Sequence, residues 1–127
     1  MTRTVSFDFD DTLMGAGGQP NERMVSMLRW HSQMTDRCII VTSRTEEHDS
    51  EEWIKANNPS RGSVQEFISK HSLPVSSIHY TEHEPKGPLL YRLGADWHYD
   101  DDSKEVQSAI DCGVIGILVS LETSWKE

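Results

Sequence analysis

Apolar residues along this chain fall into short continuous runs, separated by stretches where they recur every three or four positions. The first run, 3–9 (RTVSFDF), predicts a strand. Over 20–34, Met24, Met27, Leu28 and His31 recur at i, i+3, i+4, i+7 and Pro20 suits a first turn, which predicts a helix. The run 37–42 (RCIIVT) predicts a second, buried strand. Residues 49–57 (DSEEWIKAN) read as a short acidic helix closed by Asn57-Asn58-Pro59. Over 63–71, Ser63 and Glu66 fit a capping box and Val64, Phe67, Ile68 and His71 share a face.

The second half repeats the alternation. Residues 76–81 (SSIHYT) predict a third strand, and 88–93 (PLLYRL) a helix opened by Pro88 and ended by Gly94. A fourth strand is expected at 95–99 (ADWHY). A helix follows at 103–112 with Val106, Ala109 and Ile110 inward, stopped by Gly113. The run 114–119 (VIGILV) predicts the fifth strand, and the tail SLETSWKE predicts nothing. Strand alternating with helix implies an α/β fold, a doubly wound three-layer sandwich on a five-stranded parallel sheet. At 127 residues the chain fits a single domain, 1–127.

In such sheets ligands bind beyond the carboxyl ends of the strands, so the polar residues at those ends carry the functional reading. The first strand ends in Asp8 and Asp10, which alternation places on one face, with Phe9 and Asp11 pointing elsewhere. Thr42, Ser43 and Arg44 end the second strand. Lys86 follows the third, and Asp100, Asp101 and Asp102 end the fourth. Four separate segments thus deliver polar groups to one edge of one sheet.

These residues carry a resemblance. DFDDT after an apolar strand resembles the DxDxT signature of the haloacid dehalogenase (HAD) superfamily of phosphohydrolases. IIVTSR is similar to its second motif, Lys86 fits its third, and WHYDDDSKE resembles its acidic fourth, in the same order along the chain. The resemblance implies a HAD-like Rossmannoid fold and a phosphoric monoester hydrolase. Asp8 would be the nucleophile that forms an aspartyl-phosphate, and Asp10 the general acid and base, a role that favours a raised pKa. Thr42 would donate to a phosphoryl oxygen, and Lys86 would share its charge between Asp8 and the phosphoryl group. Mg²⁺ would be the cofactor, held by the Asp8 side chain, the Asp10 carbonyl and one carboxylate of 100–102, with Asp101 first and Asp100 second.

Bland readings stand beside these. Asp102 or Ser103 suits the cap of the following helix, and Ser43 suits a turn. Arg44 has two readings, contact with a substrate phosphate or pairing with the acidic 46–52 stretch. His79 and His83 lie on a strand and its exit, where their spacing does not make a metal site. His98 reads as a core histidine, and Trp30 and Trp53 as packing residues.

The net charge of −9 argues against non-specific binding to nucleic acid but not against an anionic substrate held by a metal. No run approaches the ~20 apolar residues of a membrane span. The N-terminus lacks a signal pattern and Cys38 and Cys112 sit in apolar contexts, which together suggest a cytoplasmic protein with reduced thiols. The short loop after Thr12 and the roughly 15 residues after Arg44 leave no room for a separate cap domain. The site is therefore expected to be open, or covered by a second copy in a homo-oligomer. Within the superfamily, the span from IIVTSR to WHYDDDSKEV and GVIGILV is similar to the phosphatase domain of phage-type polynucleotide kinase-phosphatases. That implies a nucleic-acid 3′ end or a nucleotide as substrate. The loop 14–19 (MGAGGQ) holds no basic residue and the chain is acidic, a departure that leaves a small phosphorylated metabolite or nucleotide at least as well suited. A non-catalytic phosphate- or nucleotide-binding regulatory module on the same fold is the alternative.

Overall fold

The computed structural model describes residues 2–120, so the tail lies outside the described residues. Five strands, β1 (Thr4–Phe7), β2 (Arg37–Thr42), β3 (Ser77–Tyr80), β4 (Trp97–Asp100) and β5 (Ile115–Leu118), form one sheet in the order β3-β2-β1-β4-β5. Every neighbouring pair is parallel. The chain builds outward from β1 through β2 to β3, then returns to the other side of β1 for β4 and β5. The order therefore reverses between β1 and β4, and a crevice opens at their carboxyl ends.

Five α-helices connect the strands: α1 (Glu22–Gln33), α2 (Glu51–Asn57), α3 (Val64–His71), α4 (Lys86–Arg92) and α5 (Ser103–Asp111). Alternation along the strands divides the core between the two faces of the sheet. Val5, Phe7, Cys38, Ile40 and Tyr99 pack with Met24, Val25 and Leu28 of α1 and Val64 and Phe67 of α3. Ile39 and Val41 pack on the other face with Leu90 of α4 and Ala109 of α5. The result is the three-layer α/β sandwich that the sequence predicts. Cys38 is buried, Cys112 is part-exposed, and both are free. No helix among the described residues is long and apolar enough to cross a membrane.

Local chemistry explains most boundaries. Ser63 caps α3 by accepting from the Glu66 amide at 3.0 Å, and Asp102 caps α5 by accepting from the Lys104 amide at 2.9 Å. The fifth run forms the predicted strand at the sheet margin, leaving Ile115 and Leu118 more than half exposed. One expectation needs correction. Ile110, at the same margin, is 49% exposed instead of inward, because among the described residues the sheet ends there and none covers that flank of α5.

The fourth helix also starts earlier than Pro88 suggests. Pro85 occupies the N-cap, Lys86 is the first helical residue, and Pro88 lies within the first turn, where a missing N–H costs nothing. Neighbouring α5 fixes this start. The Lys86 amide donates to Glu105 Oε1 at 2.9 Å and the Gly87 amide to Ser108 Oγ at 2.9 Å. A Cβ on Gly87 would lie 2.2 Å from the Ser108 carbonyl oxygen, so only glycine allows the two helices to approach this closely.

Candidate active site

The site begins where β1 stops. Its ladder runs one residue past Phe7, with the Asp8 amide donating to the Tyr99 carbonyl at 2.9 Å. The chain then curls, and the amides of Thr12, Leu13 and Met14 all turn toward the Phe9 carbonyl. Asp11 takes the left-handed conformation at φ 62° that this turn needs. Phe9 goes into the core against Phe67. Strand alternation therefore ends at Asp8. Asp8 and Asp10 line one cleft of about 200 Å³, together with Ser43, Lys86, Asp100 and Asp101, but they have different partners.

Asp8 is buried among charges. Lys86 Nζ lies 2.7 Å from Asp8 Oδ1 and 2.7 Å from Asp100 Oδ2, with all three side chains almost fully buried. Thr12 Oγ1 donates to Asp8 Oδ2 at 3.0 Å and also lies 3.3 Å from Asp101 Oδ1. Oxygens of Asp8, Asp100 and Asp101 fall within 4.8 Å of one another. Burial pushes the Asp8 carboxyl well above its ordinary range; the Lys86 charge opposes this and the Asp100 charge adds to it. Burial and the charge of Asp100 raise Asp101 as well. Lys86 titrates higher than usual because the charges of Asp8 and Asp100 outweigh its own burial.

Asp100 behaves differently. Burial alone would raise it, but a bond from His98 and the charge of Lys86 hold it at about 2. His98 Nε2 lies 2.7 Å from Asp100 Oδ2, and its Nδ1 lies 2.9 Å from Ser6 Oγ. Burial lowers the pKa of His98. An ionised carboxylate only accepts, so a neutral His98 carries its proton on Nε2 and accepts the Ser6 hydroxyl at Nδ1. One ammonium thus faces three carboxylates. The two uncompensated negative charges match one divalent cation, and an all-oxygen donor set suits a hard ion. Asp8, Asp100 and Asp101 could together hold one such ion.

Asp10 faces the opposite wall. Arg44 grips both its oxygens, and Arg61 adds a bond of 3.1 Å to Oδ1. Burial alone would raise Asp10; bonds from Arg44, helped by its charge and by Arg61, hold the carboxyl below its ordinary range. The expectation of a raised pKa for Asp10 is therefore corrected: the cause lies in two guanidinium groups that outweigh its burial. Arg44 also bonds Asp49 and the Gly62 carbonyl and stacks on Phe9. Asp49 belongs to the 46–52 stretch, so Arg44 makes the structural pairing, and it meets the cleft only through Asp10.

Thr42 is buried at the end of β2, where its hydroxyl accepts from the Arg44 amide at 3.2 Å. It is Ser43 that lines the cleft. His79 bonds Ser77, and among the described residues only Asp8, Asp100 and Asp101 gather as a metal-binding group. Three site residues escaped the sequence reading. Thr12 is the last letter of the DFDDT motif and could have been taken from it. His98 signals itself only as a polar residue inside a strand. Arg61 comes from a loop 51 positions beyond Asp10 and gives no signal at all.

A second cavity, of about 260 Å³, opens on the far side of Asp10 and Arg44, with His48 and Trp53 in its wall. Their rings stack at 4.5 Å with planes 21° apart. Compared with models of known protein families and with curated proteins, the chain matches none.

Proposed function

We propose that this protein is a Mg²⁺-dependent phosphomonoesterase of the HAD type that works through Asp8. One observation carries the reading. Asp8 stands at the carboxyl end of the central strand, bridged to Asp100 by the Lys86 ammonium and grouped with Asp101, and Asp10 faces the same cleft. The four motifs of the sequence support it.

In this reading an Asp8 oxygen attacks phosphorus and the bond to the leaving oxygen breaks. Asp10 gives its proton to that oxygen, which departs as an alcohol. Water then attacks the aspartyl-phosphate, Asp10 takes the water proton, and Asp8 and inorganic phosphate are released. Lys86 stays on Asp8 throughout and offsets charge on the phosphoryl oxygens. Mg²⁺ held by Asp8, Asp100 and Asp101 would reduce the repulsion between carboxylate and phosphate dianion. A bound phosphate also competes with Asp10 for Arg44 and Arg61. That competition loosens the grip on Asp10 and lets it take up the proton it must donate. Free thiols at Cys38 and Cys112 suit the cytosol.

A phosphate- or nucleotide-binding module without turnover is the second reading. It is favoured by one fact, that both Asp10 oxygens are already occupied by arginine. Phosphate release from a broad monoester panel, with Mg²⁺ and with chelator, separates the two. The first expects Mg²⁺-dependent turnover that Asp8→Asn abolishes without unfolding the chain. Binding without any turnover would favour the second.

A further inference from the structure

Two cavities meet at Asp10. One is the acidic cleft that holds Asp8; the other is walled by His48 and Trp53 and bordered by Arg44, Asn58 and His83. Resting on the phosphatase reading, we propose that this second cavity is the leaving-group subsite, and that it takes a nucleobase. The substrate class is then a nucleoside monophosphate.

Reaction geometry gives the direction. In a displacement at phosphorus the leaving oxygen departs opposite the nucleophile and close to the group that protonates it. Asp8 is the nucleophile and Asp10 the acid, so the leaving group extends past Asp10, and past Asp10 lies this cavity. At about 260 Å³ it falls just below the range of about 300–1,000 Å³ typical of drug-sized ligands, which suits one ring system with part of a sugar.

The lining gives the chemistry. Trp53, half-buried on α2, and His48, just before that helix, present an aromatic wall. Flat heteroaromatic rings stack on such surfaces whatever their identity. Asn58 and His83 add hydrogen-bond donors and acceptors for a base edge. A sugar phosphate would leave the aromatic wall unused. A long polynucleotide would bring many phosphates to a chain whose net charge is −9, with little to hold them.

The test compares kcat/KM for AMP, ribose 5-phosphate and a 3′-phosphorylated oligonucleotide, with acetyl phosphate as a substrate that lacks any ring. The expected result is a preference for AMP over ribose 5-phosphate of about tenfold or more. Trp53→Ala should collapse that ratio, Trp53→Phe should keep most of it, and Trp30→Ala should leave it intact. Equal rates for AMP and ribose 5-phosphate, a ratio that Trp53→Ala does not change, or a preference for the oligonucleotide would each overturn the subsite while leaving the phosphatase reading in place. If acetyl phosphate and every monoester go unhydrolysed, the phosphatase reading itself has failed. AMP binding, followed by calorimetry, then decides the cavity alone: loss of binding in Trp53→Ala supports it, and binding that is absent or unaffected overturns it.

Discussion

Arg44 closes a two-point fork on Asp10, Nε to Oδ2 and Nη2 to Oδ1, both at 2.8 Å. A planar guanidinium matches a carboxylate in a way that a lysine cannot. Arg44→Lys keeps the charge and loses the fork, so the Asp10 carboxyl should drift upward. A general acid loses activity as pH rises through its pKa. The alkaline limb of the kcat/KM profile should therefore move to higher pH in Arg44→Lys. A limb that stays in place would remove Asp10 from the acid role. Arg44→Ala also strips the cation from buried Asp49, and urea unfolding should show a loss of ~3 kcal/mol.

Metal binding should appear as stability. A ligand that binds only the folded state stabilises it by about 2.7 kcal/mol at a hundredfold excess over Kd. Mg²⁺ should raise the Tm of the wild type, and much less so that of Asp101→Asn. Protons compete for Asp8, whose pKa is raised by burial. The Mg²⁺-dependent rise should accordingly shrink as pH falls through that value. An equal rise in wild type and Asp101→Asn would exclude Asp101 as a ligand.

His98 acts through Asp100. Replacing it with Phe removes the Nε2 donor from Asp100 and leaves the Ser6 hydroxyl without its acceptor. Loss of a residue that orients a metal ligand typically costs about 10–100-fold in affinity or activity. His98→Phe should weaken Mg²⁺ affinity by that order in a calorimetric titration, with the far-ultraviolet circular dichroism unchanged. Unaltered Mg²⁺ affinity would leave His98 as a packing residue.

Away from the site, His31 bridges Asp36 and Tyr99 at 2.9 Å each. The bond from His31 holds the Asp36 carboxyl below its ordinary range, burial opposes it, and Arg3 assists. A depressed carboxylate stabilises the fold above its unfolded pKa of about 3.9 and loses that contribution as pH falls through the lower folded value. Asp36→Asn should cost about 1–3 kcal/mol at neutral pH. The gap to wild type should close below about pH 4. A gap independent of pH would mean that the charge on Asp36 contributes nothing.

Gly18 joins the loop after the acidic motif to the loop that carries Arg61. Its φ is +78°, and a Cβ there would lie 2.4 Å from the Ser60 carbonyl oxygen. Gly18→Ala should destabilise the protein by more than about 1 kcal/mol and push Arg61 away from Asp10. KM for any phosphomonoester should rise more than kcat falls. The opposite split would place the effect on the chemical step.

Much of this was legible in the sequence, because local rules governed it. β2 occupies the predicted residues 37–42, and Ser63 caps α3, since in each case the signal lies within a few positions. Asp8, Lys86, Asp100 and Asp101 converge because strand ends in a parallel sheet share one edge, a consequence of topology that order along the chain already implies. What the sequence hid depends on three-dimensional neighbours. Sheet order makes β5 an edge, and no apolar run announces which strand is outermost. Arg61 reaches Asp10 only because the chain folds back between β2 and α3. The acid/base role implies a raised pKa for Asp10, and two arginines from other segments reverse the sign.

The start of α4 has a consequence for how the site comes into being. Its first two amides are satisfied by side chains of α5, and the third position is a proline with no amide to satisfy. A seven-residue helix without a cap of its own does not persist in isolation. Lys86 is therefore delivered to Asp8 only once the last helix has docked. Lys86 is thus tied to the packing of α4 against α5, separate from the segments that carry Asp10, Arg44 and Arg61. A change in α5 that breaks these two bonds therefore reaches the acidic cleft through the position of Lys86.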